Sequence, residues 1–152
     1  MKRLSVTLRR ITIEDIDTVA EIEQETFPSP WSAQSIRDVL TKNILGRGII
    51  AEYGDHIAGY AFYWIIMDEL HIANIAVRTE YRRRKIGAGM LKYMLDEGLK
   101  QGAVYALLEV RASNYPAIKM YEHFGFTHMH TRRNYYSDTQ EDALVMSKIL
   151  SE

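Results

Sequence analysis

The sequence predicts a mixed α/β domain, with a central mixed, twisted β-sheet of about six to seven strands flanked by about four helices. Three observations carry this expectation. Segments with strand and helix periodicity follow one another in the order β-α-α-β-β-β-α-β-α-β-β, with a strand-helix-strand unit near the middle. Val104 to Val110 is almost wholly apolar, as expected of a central strand covered on both faces. The 152 residues, 47% hydrophobic and 26% charged, make one ordinary domain with a substantial core, taken as residues 1–152.

Leu4, Val6 and Leu8 alternate with polar residues, the period of a half-buried strand. Thr12 followed by Asp15 resembles a capping box with a shortened acid, and Ile16, Val19, Ala20 and Glu23 then step at helical spacing, predicting a helix from about Ile13 to Glu25. Two prolines in Phe27-Pro28-Ser29-Pro30-Trp31 exclude a continuous helix, and Ser32 can cap a second one whose Ile36, Val39 and Leu40 share a face. Gly48 to Tyr53 and His56 to Ile66, rich in β-branched and aromatic residues, read as a hairpin around Gly54-Asp55. A strand from Leu70 to Val77 follows. The next helix, about Gly87 to Gln101, carries Leu91, Leu95 and Leu99 on one face and stops at Gly102. After the Val104 to Val110 strand, a helix from about Tyr115 to Phe124 ends at Gly125, and strands near Phe126 to Arg133 and Asp142 to Ile149 complete the chain.

Composition removes several functions. Net charge is −1 and the isoelectric point is about 6.5, so no global positive field drives nucleic-acid binding. The opening MKRLSVTLRR has no apolar signal core, and no run approaches the roughly 18 apolar residues of a membrane span. A cytoplasmic protein without membrane or nucleic-acid partners is expected. The absence of cysteine excludes disulfides, thiolate metal sites and an acyl-cysteine intermediate. His128 and His130 share one face of a strand, but with no further placed ligand no metal is expected.

The most informative stretch is Leu107-Leu108-Glu109-Val110-Arg111-Ala112-Ser113-Asn114-Tyr115-Pro116-Ala117-Ile118-Lys119-Met120-Tyr121. It reads as an apolar strand with one acid, a polar turn, and a helix opened by Asn and Pro that presents a tyrosine. With the following Glu122-His123-Phe124-Gly125-Phe126, and later Arg133-Asn134-Tyr135-Tyr136 and Glu141-Asp142-Ala143, it resembles the GCN5-related N-acetyltransferase (GNAT) superfamily. Within that superfamily it is similar to the protein N-terminal acetyltransferases of the ribosomal-protein-alanine (RimI) and archaeal NatA-like types, over roughly residues 4 to 149. The resemblance implies the GNAT fold and direct transfer of acetyl from acetyl-CoA to the free N-terminal amine of a protein or peptide. Ribosome association or an auxiliary subunit would be compatible with it.

Between the Leu70 to Val77 strand and the next helix lies Tyr81-Arg82-Arg83-Arg84-Lys85-Ile86-Gly87-Ala88-Gly89. A strand, a loop with small residues and a helix N-terminus form an anion site, because free backbone N–H groups and the helix dipole point the same way. Matched to the family's loop, Arg82 takes the first position and Gly87 the last, which puts Lys85 where a glycine is usual. If that position needs positive φ, a lysine costs on the order of 1 kcal/mol. Shifting the register to Arg84–Gly89 restores both glycines but spoils the spacing to the strand. The resemblance further implies that pantetheine pairs with the backbone of Ile75, Ala76 and Val77, that the diphosphate lies on residues 83 to 88, Arg83, Arg84, Lys85, Ile86, Gly87 and Ala88, and that Asn114 bonds the pantetheine arm.

An α-amine with a pKa near 8 gives up its proton at pH 7 for about 1.4 kcal/mol, whereas a lysine needs about 4.6 kcal/mol, so a modest base suffices for an N-terminus. Glu109 is such a base, directly or through water, if burial lifts its pKa; otherwise it is a strand-end carboxylate paired with Arg111 or another cation. Tyr121 is either a core aromatic or, as the family match implies, the general acid that protonates the departing CoA thiolate. Backbone N–H groups near Val77 would polarise the thioester. His71 is either a proton relay beside Glu109 or a satisfied strand histidine. Phe27, Pro28, Tyr135 and Tyr136 match the family's walls around the incoming N-terminus. Two other readings stay open: a lysine or small-amine acetyltransferase, and a catalytically silent acetyl-CoA-binding subunit. A nucleic-acid module built on Arg82 to Lys85 lacks interleaved aromatics.

Overall fold

The computed structural model describes residues 5–42 and 46–150. Leu4, the first residue of the expected opening strand, lies outside them. Seven strands, β1 (Val6–Arg10), β2 (Gly46–Tyr53), β3 (His56–Ile66), β4 (Glu69–Val77), β5 (Tyr105–Arg111), β6 (Thr127–Tyr136) and β7 (Glu141–Ile149), form one sheet in the order β1-β2-β3-β4-β5-β7-β6. Four helices accompany it: α1 (Ile16–Thr26), α2 (Ala33–Thr41), α3 (Ile86–Lys100) and α4 (Tyr115–His123). The β4–β5 ladder is parallel, whereas β1–β2, β2–β3, β5–β7 and β6–β7 are antiparallel. This is the mixed α/β fold that the element order predicts. Residue contacts cluster into two compact units, Met1–Trp64 with Asn74–Met94, and Ile65–Ala73 with Leu95–Glu152.

In the first unit, α1 buries Ile16, Val19 and Ile22, α2 buries Ile36, and the β2–β3 hairpin contributes Ile49, Ile50, Tyr60 and Phe62. Each such side chain adds roughly 1.5–3 kcal/mol on burial. The expected start of α1 is a separate 3-10 turn, Ile13–Asp15. The expected capping box forms, the Asp15 carboxylate accepting the Thr12 N–H at 2.7 Å and the Thr12 hydroxyl at 3.1 Å. The Arg9 guanidinium holds the same carboxylate through two N–H groups at 2.8 and 2.7 Å and also pairs with Glu52. Ser32 caps α2 as expected, accepting the Ser35 N–H at 3.0 Å. Gly59 on β3 has a steric reason: a Cβ there would stand 2.4 Å from the Ala76 carbonyl oxygen of β4.

The second unit packs Leu70 and Ile72 of β4, Leu95 of α3, Ala106, Leu108 and Val110 of β5, Phe126, and Val145 and Met146 of β7. Two expectations need correction. Leu99 is 45% exposed, because positions four apart drift 40° per step around a helix and the third leucine leaves the buried face; Gly98 takes its place, 3.1 Å from the Leu70 side chain at its would-be Cβ. The β5 strand is covered fully on one face only: Ala106, Leu108 and Val110 are buried, whereas Tyr105 is exposed and Leu107, Glu109 and Arg111 are half-buried. A run of apolar residues does not reveal that one face opens onto a cleft.

Candidate active site

In the first unit lie Ile75, Ala76 and Val77 of β4, beyond the four β4 residues, Glu69 to Ile72, that pair with β5. After β4 a 3-10 turn, Thr79–Tyr81, leads into the loop. Arg83 and Lys85 both take the left-handed conformation, at φ 65° and 62°. Lys85 therefore has the backbone that the glycine register requires, without being glycine. Gly89 N–H donates to the Lys85 carbonyl at 3.0 Å, which makes Lys85 the residue before the first turn of α3. The N–H groups of Ile86, Gly87 and Ala88 precede the first intrahelical donor, and alternating left-handed residues before a helix form a concave set of donors suited to a diphosphate. The arginines are not equivalent. Arg82 Nε donates to the Val77 carbonyl at 3.3 Å, and Arg84 lies 4.9 Å over the Tyr53 ring and donates to its hydroxyl at 3.0 Å.

Also in this unit, Phe27 is half-buried and Pro28 exposed in the turn between α1 and α2. The sequence placed Glu23 on the inner face of α1 but gave it no function. Its carboxylate is 99% buried and accepts three hydrogen bonds, from the Tyr60 hydroxyl, from Asn74 Nδ2 at 2.6 Å and from the Trp31 backbone N–H at 2.9 Å. Burial pushes its pKa up, against the pull of those donors. The signal was legible: an acid at i+7 from Ile16 and i+4 from Val19, on a face otherwise apolar.

In the second unit, sheet register brings His71 opposite Leu107, Glu109 opposite Val145, and Val145 opposite His130. His71, Glu109, His130 and Arg132 line a cleft of about 290 Å³ together with Glu69 and Met129. Glu109 keeps 23% side-chain exposure, and its Oε1 lies 3.9 Å from the Arg132 guanidinium. The burial expected to tune this carboxylate is therefore partial, and its cation is Arg132 rather than Arg111. Tyr135 completes the group, its phenol pKa raised chiefly by a hydrogen bond to Glu109. A bulge shifts the β6–β7 register between His128 and His130, which pair with the adjacent Met146 and Val145. The two histidines hence face opposite sides of the sheet, not one side, and His128 bonds the Thr131 hydroxyl at 3.0 Å. Among the described residues no group of three or more His, Asp or Glu side chains is placed to hold a metal ion.

Tyr121, on α4, is buried with its ring edge-to-face with Phe126 at 5.7 Å. Burial, and then the neighbouring Tyr136, drive its pKa far above that of a free phenol, so it stays protonated at neutral pH. Tyr136 is pushed up to about 12, chiefly by burial, against the opposing charge of Arg111, which lies 3.9 Å from its ring centroid. Arg111 also ties down the β6–β7 hairpin tip, donating to Asp138 at 3.0 Å and to Thr139 at 3.1 Å, while the Ser113 hydroxyl donates to Glu141 at 2.5 Å. These contacts hold Tyr135 and Tyr136 beside β5. Asn114 caps α4, its Oδ1 accepting the Ala117 N–H at 3.4 Å, so only its amide N–H groups remain to donate to a ligand.

Comparison with known proteins names the class. Residues 16–126 match the acetyltransferase (GNAT) family, to which the chain belongs. Acetyl-CoA is the acyl donor. The chain is similar over 99% of both lengths, at 37% identity, to a Bacillus subtilis protein provisionally named a [ribosomal protein bS18]-alanine N-acetyltransferase. It is 35% identical to the Salmonella typhimurium [ribosomal protein bS18]-alanine N-acetyltransferase, over 95% of this chain and 98% of that one. The crystal structure of the Escherichia coli ribosomal-protein-S18-alanine N-acetyltransferase superposes with a TM-score of 0.89 at 32% identity, covering 97% of this chain and 96% of that one.

Proposed function

We propose that this acetyltransferase acetylates the free N-terminal α-amine of proteins, with alanine-type termini, and that of a ribosomal protein in particular, as its substrates. The support is the named activity of relatives 33–37% identical over nearly the whole chain. An Arabidopsis thaliana Naa50 bound to a CoA-Ac-MVNAL bisubstrate analogue, 26% identical with a TM-score of 0.82, adds to it. Residues 1–152 act in this reading as one acetyltransferase domain in the cytoplasm, where ribosomal proteins are made.

Acetyl-CoA supplies an activated acetyl thioester. In this reading, the backbone of Ile75–Val77 pairs with the pantetheine arm, Asn114 donates to it, and the N–H groups at residues 83 to 88 hold the diphosphate. Phe27, Pro28 and Tyr135–Tyr136 flank the incoming peptide. Glu109 takes the proton that the amine loses, directly, through water or through His71, as the amine nitrogen bonds the acetyl carbon and the carbon–sulfur bond breaks. Tyr121 gives its phenolic proton to the leaving sulfur. The observation that carries this assignment is the company Glu109 keeps: a partly exposed carboxylate at the edge of a cleft, with Arg132 and Tyr135 able to steady its charge.

The test measures CoA release with two peptides, one beginning with Ala and lacking lysine, the other N-blocked and containing lysine. Turnover of the first alone is expected. Turnover of the second alone would replace this reading by a lysine acetyltransferase, and silence with both would favour a non-catalytic acetyl-CoA-binding subunit.

A further inference from the structure

The Phe27–Trp31 turn is bracketed by one residue. Glu23 receives the Phe27 N–H on its main-chain carbonyl at 2.9 Å and the Trp31 N–H on carboxylate Oε2 at 2.9 Å, so both ends of a turn with two prolines hang from a single α1 residue. Its other oxygen, Oε1, accepts from the Tyr60 hydroxyl on β3 and from Asn74 Nδ2 on β4 at 2.6 Å. Asn74 directly precedes Ile75–Val77. The Trp31 ring, 5.5 Å from that of Phe62, adds a second hold on the same end of the turn. Pro28 and Pro30 have no N–H to offer, and so the turn has few ways to fix itself.

We infer that Glu23 is a positioning residue for the amine-accepting side of the reaction: it fixes the Phe27–Trp31 turn to β3 and to the β4 residue preceding Ile75–Val77, and thereby sets how the acceptor peptide is held. This rests on the reading of Phe27 and Pro28 as a substrate wall. The carboxylate suits the task because it is an acceptor at both oxygens. An isosteric amide is not, since its NH2 would face either the Trp31 N–H or the Tyr60 and Asn74 donors, and one donor would oppose another. Glu23 makes no contact with reacting atoms in this role.

The test compares Glu23→Gln and Tyr60→Phe in the full chain, using whichever amine-bearing peptide the wild type turns over, so that an error in the assigned substrate does not disturb it. Tyr60→Phe removes a donor to the same buried carboxylate but leaves the Trp31 bond in place. Glu23→Gln is expected to raise the peptide KM about tenfold, the size of one hydrogen bond to a charged group, with kcat and the acetyl-CoA KM changed by about twofold or less. Tyr60→Phe is expected to lower Tm while leaving the peptide KM within about twofold. An unchanged peptide KM in Glu23→Gln, or an equal rise in both variants, would overturn the inference. If Glu23→Gln does not fold, amide hydrogen exchange in the wild type decides: protection of the Trp31 N–H comparable with that of Ile22 supports the bracket, and exchange at the solvent rate overturns it.

Discussion

A carboxylate and a phenol are chemically useful only in the protonation states that their surroundings permit. Tyr121 is buried and its pKa raised, so it stays protonated at every pH near neutrality, the state that its proposed role as an acid requires. Tyr121→Phe should lower kcat by about 10²-fold, with the loss unchanged between pH 6 and pH 9 because the phenol does not titrate there. Glu109→Gln should lower kcat by about 10²-fold at pH 7 and recover part of it as the pH approaches 9, where an α-amine sheds its own proton; initial rates against pH check both. Asp15 is a separate case. Its pKa is lowered, first by its hydrogen bonds to Arg9, so the stability it contributes is complete above the ordinary carboxylate value of about 3.9 and is lost as pH falls through the lower folded value. Asp15→Asn should cost about 1–2 kcal/mol at pH 7, discounted for the exposure of Arg9, and progressively less as pH falls below that ordinary carboxylate value; denaturant melts at a series of pH values measure it. Glu109 and Tyr121 are candidates through the family motif that holds them, and the structure places the first at a cleft and the second in a buried position. Arg132 as the companion of Glu109 was not legible in the sequence, because the pairing depends on the β6 bulge, and no local pattern announced it.

Among the elements, strand and helix positions followed closely from periodicity, and the start of α2, the boundaries of β3 and β7 and the α3 stop at Gly102 fall within a residue or two of expectation. What periodicity missed was asymmetry within an element. The apolar run of β5 reads as buried on both faces, although Glu109 and Leu107 lie toward a cleft. A regular β6 would align His128 with His130, yet one extra residue turns them apart. The loop before α3 shows the opposite outcome, since counting residues to the flanking elements led to the left-handed backbone found at Lys85. Lys85→Gly relieves that strain but frees the unfolded chain, so stability should change by less than about 1 kcal/mol. The acetyl-CoA KM should meanwhile rise severalfold as a cation leaves the proposed diphosphate site; thermal melts and saturation kinetics separate the two effects.

At the scale of the whole molecule, the sequence order of elements and the seven-stranded sheet agree with those of enzymes that acetylate protein N-termini, and the family match spans residues 16–126. A net charge of −1 offers no general attraction to ribosomal RNA, so selection of a ribosomal protein would rest on the peptide terminus itself. The free-energy difference between an α-amine and a lysine amine, about 3 kcal/mol at pH 7, favours the terminus before any specific contact is made. The most direct measurement is therefore an internal competition: a peptide bearing both a free N-terminal alanine and an internal lysine, incubated with acetyl-CoA and the enzyme, with fragmentation mass spectrometry locating the acetyl group. Acetyl on the alanine nitrogen with the lysine unmodified is the predicted result, and acetyl on the lysine with the N-terminus free would contradict it.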